Sequence, residues 1–174
     1  MSRATVVCGS ARLGGVTERM CLACAGELED MGWEVSLVCP SELRIAHCTD
    51  CGACRHGPCV ISDDMGSVYR LFSESDLFVM SSPIHFSGPS SLIKTVMDRF
   101  QTHWYHPELP HPAKAAALLC GGSPEPRFSH TVSIMRAFSI TTGMAWAGEV
   151  CFPDTDRNMG EGCEEAVREF TRGL

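Results

Sequence analysis

The chain has 174 residues and a mass of 18.9 kDa, inside the ~100–200 residues usual for one domain, so a single unit over residues 1–174 is expected. Hydrophobic residues make up 44% and charged residues 20%, which is enough apolar side chain for a core and too little charge for a disordered segment. Fourteen basic against twenty-one acidic side chains leave a formal charge of −7, opposing a sequence-independent hold on nucleic acid phosphates or anionic membrane. Small molecules and other proteins remain as partners.

Ala4-Thr5-Val6-Val7-Cys8 is apolar and β-branched and runs into Gly9-Ser10, which predicts a buried strand ending in a turn. Met20, Cys24, Leu28 and Met31 recur at helical spacing, with Thr17 as a side-chain cap at the start and Gly32 as the stop. Val35–Val38 is a second strand. From Cys39 to Asp63 no period is visible, only prolines, glycines, histidines and cysteines, and a loop of that length in a small domain is commonly functional. A helix resumes after Asp63-Asp64 with Met65, Val68, Tyr69 and Phe72 on one face, its acidic pair suited to the positive helix start. Leu77–Met80 is the third strand, Ser81–Ser90 a loop, and Ile93, Met97, Phe100 and Trp104 mark one helix. Ala115–Cys120 and Ala145–Phe152 are the fourth and fifth strands, separated by a helix over Arg127–Thr142. Cys163, Ala166, Val167 and Phe170 form one face of a last helix. Strands alternating with helices imply right-handed crossovers and a parallel sheet covered on both faces. Ligands of such sheets lie at the carboxyl ends of the strands, where strand order reverses, so the loops at 9–17, 82–90 and 120–127 should line one site.

No apolar run has secretory-signal length and none reaches the ~18 residues of a membrane helix, so a soluble, cytoplasmic protein is expected. In that setting the eleven cysteines, an odd number, argue against a disulfide framework. Cys8, Cys21, Cys24, Cys39, Cys120, Cys151 and Cys163 read as packing residues. His103, His106, His111 and His130 lack paired helical spacing beyond a loose 103/106 pair and read as surface or loop-wall residues.

The loop Gly9-Ser10-Ala11-Arg12-Leu13-Gly14-Gly15-Val16-Thr17 is built for an anion. Glycines let backbone N–H groups point inward, Ser10 and Thr17 add hydroxyls, Arg12 adds charge, and the helix N-terminus adds its positive end. It fits neither GxxxxGK[ST] nor GxGxxG, so a single terminal phosphate suits it better than a pyrophosphate. In Ser81-Ser82-Pro83-Ile84-His85-Phe86-Ser87-Gly88-Pro89 two prolines stiffen a segment offering an aromatic surface and backbone groups to the edge of a planar ring. Cys48, Cys51, Cys54 and Cys59, at gaps of two, two and four residues, gather four soft ligands in one turn. The run is similar to, but distinct from, the bacterial ferredoxin spacing and favours one cubane. Zinc and free thiols are the other readings of the same residues.

These motifs resemble the flavodoxin-like NAD(P)H-dependent FMN reductase group: GSARLGGVT its flavin-phosphate loop, and SSPIHFSGPSSLIKTVMDRF its loop and helix beside the isoalloxazine. The resemblance implies an α/β flavodoxin-like three-layer sandwich with a five-stranded parallel sheet of order 2-1-3-4-5, with the cysteine-rich segment at about 39–63 as an insertion loop. It implies FMN with its phosphate at Ser10, Arg12 and Thr17, Gly15 and Val16 among the cofactor-binding residues, its ring at Pro83, Ile84, His85 and Phe86, and Gly121 and Gly122 near the ring's other side. Within the group, the cysteine run followed by Asp63-Asp64 resembles the iron-sulfur flavoproteins. That implies a [4Fe–4S] cluster on Cys48, Cys51, Cys54 and Cys59 and a homodimer or homotetramer. The expected function is an electron-transfer flavoprotein or oxidoreductase, with ferredoxin or NAD(P)H as electron partner. The sequence offers no general acid or base, and hydride transfer to flavin does not require one. A cluster-free NAD(P)H-dependent FMN or quinone reductase and a non-catalytic zinc or thiol redox-sensing module are the alternatives.

Overall fold

The computed structural model describes all 174 residues. Its elements are β1 (Arg3–Cys8), α1 (Val16–Asp30), β2 (Glu34–Val38), α2 (Met65–Glu74), β3 (Leu77–His85), β4 (Gly88–Pro89), α3 (Ser91–Asp98), α4 (Gln101–Tyr105), β5 (Lys114–Cys120), α5 (Phe128–Thr141), β6 (Ala145–Phe152), α6 (Thr155–Asn158) and α7 (Cys163–Thr171). Five strands form a parallel sheet of order β2-β1-β3-β5-β6, with the two-residue β4 antiparallel to β3. Counting only the parallel strands, this is the expected order 2-1-3-4-5 of the flavodoxin-like fold. No helix is long and apolar enough to cross a membrane.

Alternation along the strands divides the core in two, as a sheet buried on both faces requires. Ala4, Val6, Cys8, Leu77, Val79, Ala116 and Leu118 face α1 and α7, where Met20, Cys24, Leu28, Cys163 and Val167 meet them. On the other face Val7, Phe78, Met80, Ala117 and Leu119 pack against Met65, Val68 and Phe72 of α2, Ile93, Val96 and Met97 of α3, and Met135 of α5. Phe72 is the aromatic hub of this face, with ring centroids 5.1 Å from Phe78, 4.6 Å from Phe100 and 5.1 Å from His103.

Four local expectations are corrected. The third strand continues five residues past Met80, because Ser81, Ser82 and Pro83 remain paired with Leu118, Leu119 and Cys120 of β5. Thr17 does not cap α1. Gly15 occupies that position, while Thr17 is buried in the first turn with its hydroxyl 3.2 Å from Cys120 Sγ. The helix expected from Ile93 to Trp104 breaks between α3 and α4 at Arg99 and Phe100. In an unbroken helix Trp104 would follow Phe100 inward; after the break His103 is buried against Phe72 and Phe100, and Trp104 is 60% exposed. Finally, Cys151 lies on an exposed position of β6, the outermost strand, and is not a packing residue. All eleven cysteines are free thiols.

Replacing Phe72 by Ala should cost about 3–5 kcal/mol of stability, because the fully buried ring leaves a cavity bounded by sheet and helix. Urea unfolding of the two chains, followed by circular dichroism, measures the difference.

Candidate functional site

The strand order reverses between β1 and β3, and the ends of these two strands are fastened together there. Gly9 N donates to Ser81 O at 2.9 Å, extending the parallel ladder one residue beyond β1. A Cβ on Gly9 would collide with that Ser81 carbonyl and come within 2.9 Å of the Ile93 side chain, so only glycine allows this approach. Ser90 Oγ donates to Gly9 O at 2.5 Å and accepts from Ile93 N at 3.4 Å, capping α3. Ser90 N in turn donates to Ser82 Oγ at 2.8 Å.

Above these strand ends lies a cavity of about 860 Å3. The loop from Gly9 to Thr17 forms one wall, including Ser10, Arg12, Gly15, Val16 and Thr17. Ser10 Oγ accepts from Arg12 N at 3.1 Å, which folds the loop back on itself, and Gly14 N donates to the Glu18 carboxylate. Pro83, Ile84 and His85 form another wall, and Gly122 and Cys120 stand at the end of β5. Burial pushes the Cys120 thiol above its usual range, so this part of the wall is uncharged. Two expected residues stand apart. Gly121 is buried beneath Pro126. Phe86 is fully exposed at the tip of a two-residue hairpin whose central residues, Phe86 and Ser87, both have positive φ (49° and 64°). Neither lines the cavity.

Ser90, Ser91 and Leu92, within the loop and helix the motif marked, line the cavity at the start of α3. The cavity also recruits residues the motifs did not single out: Arg19 from α1, and Thr155, Asp156 and Met159 from the segment after β6. Residues 153–159 follow the carboxyl end of a parallel strand and could have been found by applying the strand-end rule to every strand. Arg19 joins the 159–164 segment to α1: Nε and Nη2 donate to Glu164 at 2.6 and 3.1 Å, and further bonds reach Met159 O (2.8 Å) and Gly160 O (3.0 Å).

The four cysteines of the run line one small pocket of about 30 Å3, against Asp98, Arg99, Gln101 and Tyr105. Left-handed backbone at Asp50 (φ 50°) and Gly52 (φ 75°) turns the chain, and Asp50 N donates to Cys48 Sγ at 3.4 Å. Cys51 is exposed, and Cys48, Cys54 and Cys59 are half-buried. Four cysteines lining one pocket fit a thiolate-bound metal in donor type and number; no three His, Cys, Asp or Glu side chains converge as a ready-made metal site. The base of this loop is closed by hydrogen bonds: Arg44 N to Asp64 Oδ2 (2.7 Å), Ala46 N to Asp63 Oδ2 (2.8 Å) and Asp64 N to Arg44 O (3.1 Å). Hydrogen bonds from Arg99 hold the Asp63 carboxyl below the usual carboxylate range against the opposing effect of burial. His106 Nε2 donates to Cys54 O at 3.2 Å, and the Arg55 guanidinium lies 5.5 Å from the Tyr105 ring centroid, so α4 braces the outer part of the loop. His111 and His130 are exposed.

A crevice at the reversal point of a 2-1-3-4-5 sheet, with a glycine-rich loop opening the first helix, defines the flavodoxin-like class of α/β proteins. The chain belongs to the NADPH-dependent FMN reductase family, which it matches over residues 2–155. It is 32% identical over 141 residues to an iron-sulfur flavoprotein of Archaeoglobus fulgidus, covering 79% of this chain and 64% of that one. It is 31% identical over 96 residues to an iron-sulfur flavoprotein of Methanosarcina thermophila, covering 55% and 50%. The chain thus spans one half to two thirds of the length of these relatives. Among solved structures, the NAD(P)H:quinone oxidoreductase of Methanothermobacter marburgensis superposes with a TM-score of 0.75 over 98% of this chain and 95% of that one, at 12% identity, a likeness of fold.

The Arg19–Glu164 pair has a pH signature. Arg19 lowers the Glu164 carboxyl from its ordinary 4.5 to about 2, so its contribution to stability is complete above about 4.5 and is lost as the pH falls toward about 2. A Glu164→Gln chain should show a shallower fall of the thermal midpoint across that window, which differential scanning calorimetry at stepped pH measures.

Proposed function

We propose that this chain is a flavin-dependent electron-transfer oxidoreductase, with FMN in the crevice and a [4Fe–4S] cluster on Cys48, Cys51, Cys54 and Cys59. One observation carries the flavin half: residues selected by motif from separate loops line a single cavity of about 860 Å3, within the ~300–1,000 Å3 of cofactor sites. The cluster half is supported by four cysteines lining one pocket and by the likeness to relatives named iron-sulfur flavoproteins.

In this reading Ser10, Arg12, Gly15, Val16 and Thr17 hold the phosphate. The start of α1 contributes backbone N–H groups and its positive end, and Arg12 contributes charge. Pro83, Ile84 and His85 present a stiff strand end to the flavin ring, and Phe86 stands at its outer margin. Gly122, without a side chain, leaves room on the other side beside Asp156, with Gly121 supporting it from beneath. Bound FMN accepts two electrons together and releases them singly, and an iron-sulfur cluster passes one at a time. The protein's part is to bind, orient and exclude water, and no side chain is assigned as acid or base. Because the cysteine pocket is small, loading a cluster requires the exposed side of the loop, at Thr49, Asp50 and Cys51, to move outward. Exposed Trp104, Tyr105 and Val60 beside this loop suit contact with a second copy in a homodimer or homotetramer. NAD(P)H and ferredoxin are the electron partners this chemistry admits.

A cluster-free FMN or quinone reductase is the second reading, favoured by the absence of three converging ligands in the cysteine loop. A zinc or thiol redox-sensing module would leave the larger cavity without a ligand. The absorption spectrum of protein purified without oxygen, before and after dithionite, separates the three. Flavin bands over a broad shoulder, both bleaching, support the two-cofactor reading. Flavin bands alone support the cluster-free one, and stoichiometric zinc without flavin supports the third.

Two substitutions test the assignments separately. Cys51→Ala should abolish iron content and leave FMN bound; full iron stoichiometry would sink the cluster assignment. Arg12→Ala should weaken FMN roughly tenfold or more, since a charge-assisted hydrogen bond contributes about 1.5–3 kcal/mol, as read by flavin fluorescence titration.

A further inference from the structure

The side chain of Arg99 is 1% exposed, although it belongs to the most reluctantly buried class of residues. It closes the break between α3 and α4, and Tyr69 Oη donates to its carbonyl at 2.5 Å, joining α2 to the same point. Its guanidinium reaches both stems of the cysteine loop. Nη1 donates to Ala46 O on the incoming stem (2.8 Å) and to Asp63 Oδ2 on the outgoing stem (2.6 Å). Nη2 donates to Asp63 Oδ1 (3.1 Å) and Ile61 O (3.4 Å). This end-on fork leaves Nε, which is buried and has no partner. Arg99 is the only cationic side chain lining the cysteine pocket, and Cys59 adjoins both its guanidinium and the Tyr69 hydroxyl.

An unpartnered N–H on a buried cation is costly unless an acceptor meets it, and the four cysteines are the largest group of acceptor side chains lining this pocket, beside Asp50, Asp98 and Gln101. We propose that Arg99 is the positioning residue of the cysteine loop: its fork fixes both stems before a metal arrives, and its remaining N–H and charge face the thiolates of the metal-bound state. The inference takes the identity of its ligand from the cluster reading above, but the mechanical part stands without it. A hydrogen bond from Nε to a ligating sulfur would favour the more negative, reduced cluster and raise its potential.

The test compares the full wild-type chain with Arg99→Gln and Arg99→Lys, with FMN titration verifying that each is folded. In the metal-free proteins, amide hydrogen exchange over residues 45–62 should be about tenfold faster in Arg99→Gln. It should remain fast in Arg99→Lys, because an ammonium cannot reproduce a fork that reaches two stems. After anaerobic reconstitution with iron and sulfide, Arg99→Gln should lose iron to a chelator roughly 10–100-fold more readily. Its cluster should have a lower midpoint potential, and Arg99→Lys should recover most of that shift by keeping the charge.

Wild-type exchange rates in the loop of Arg99→Gln overturn the positioning role, and equal potentials in all three proteins overturn the charge role. Should the glutamine variant not fold, Arg99→Lys decides in its place: loop exchange at the wild-type rate overturns the proposal. A wild-type chain that takes up no iron refutes the cluster reading, and the exchange comparison still decides whether Arg99 holds the loop.

Discussion

The crevice depends on one hydrogen bond of ordinary length, from Gly9 N to Ser81 O at 2.9 Å. Parallel strands on either side of a reversal point send their connections to opposite faces, so the loops at their ends diverge and leave a gap. Carrying the β1–β3 ladder one residue further sets the width of that gap. Ser90 then ties the start of α3 to the same Gly9, so the floor of the cavity and one of its helices share an anchor. The residues on the cavity walls come from four regions far apart in sequence, but all are measured from this one point.

The cysteine loop is organised by a different constraint. A guanidinium removed from water requires acceptors for its N–H groups, and a carboxylate in the same place requires donors. Asp63 receives them from Arg99, Ala46 N and Met65 N. The two ends of a segment with no regular structure beyond short 3-10 turns at Pro40–Glu42 and Ala53–Arg55 are thereby drawn to one place. A loop closed in this way has the form of an Ω-loop, whose interior is free to vary while its neck is fixed. The acidic pair after the cysteine run therefore does more than suit a helix start: Asp63 binds the arginine and Asp64 binds the opposite stem through Arg44 N.

The parts of this organisation legible in the sequence were those written in local pattern. Apolar β-branched runs and glycine turns located the strands, the resemblance to the FMN reductase group supplied their order, and the cysteine spacing marked a common pocket. Arg99 was not legible, because within the period Ile93, Met97, Phe100, Trp104 a lone arginine reads as a solvated residue. Its burial goes with the long-range pairing with Asp63, at the same point where the helix breaks and His103 turns inward. The placement of Phe86 outside the cavity wall was not legible either, because it is set by the hairpin after an unexpectedly long β3, with both turn residues in left-handed conformations. The segment 155–159 was missed because it carries no motif and enters the cavity only through the end of β6.

Helix α3 bears on both pockets at once: Ser90 and Ser91 at its start line the larger one, and Arg99 at its end lines the smaller. Eight residues at 1.5 Å each make a spacer of about 12 Å, and each added or deleted residue would also rotate one end against the other by about 100°. Point substitutions along its outer face can be absorbed, but a single-residue insertion or deletion would swing the arginine out of its pocket or the serines out of theirs. The outer face of the helix is thus free to drift in composition, while its length is fixed.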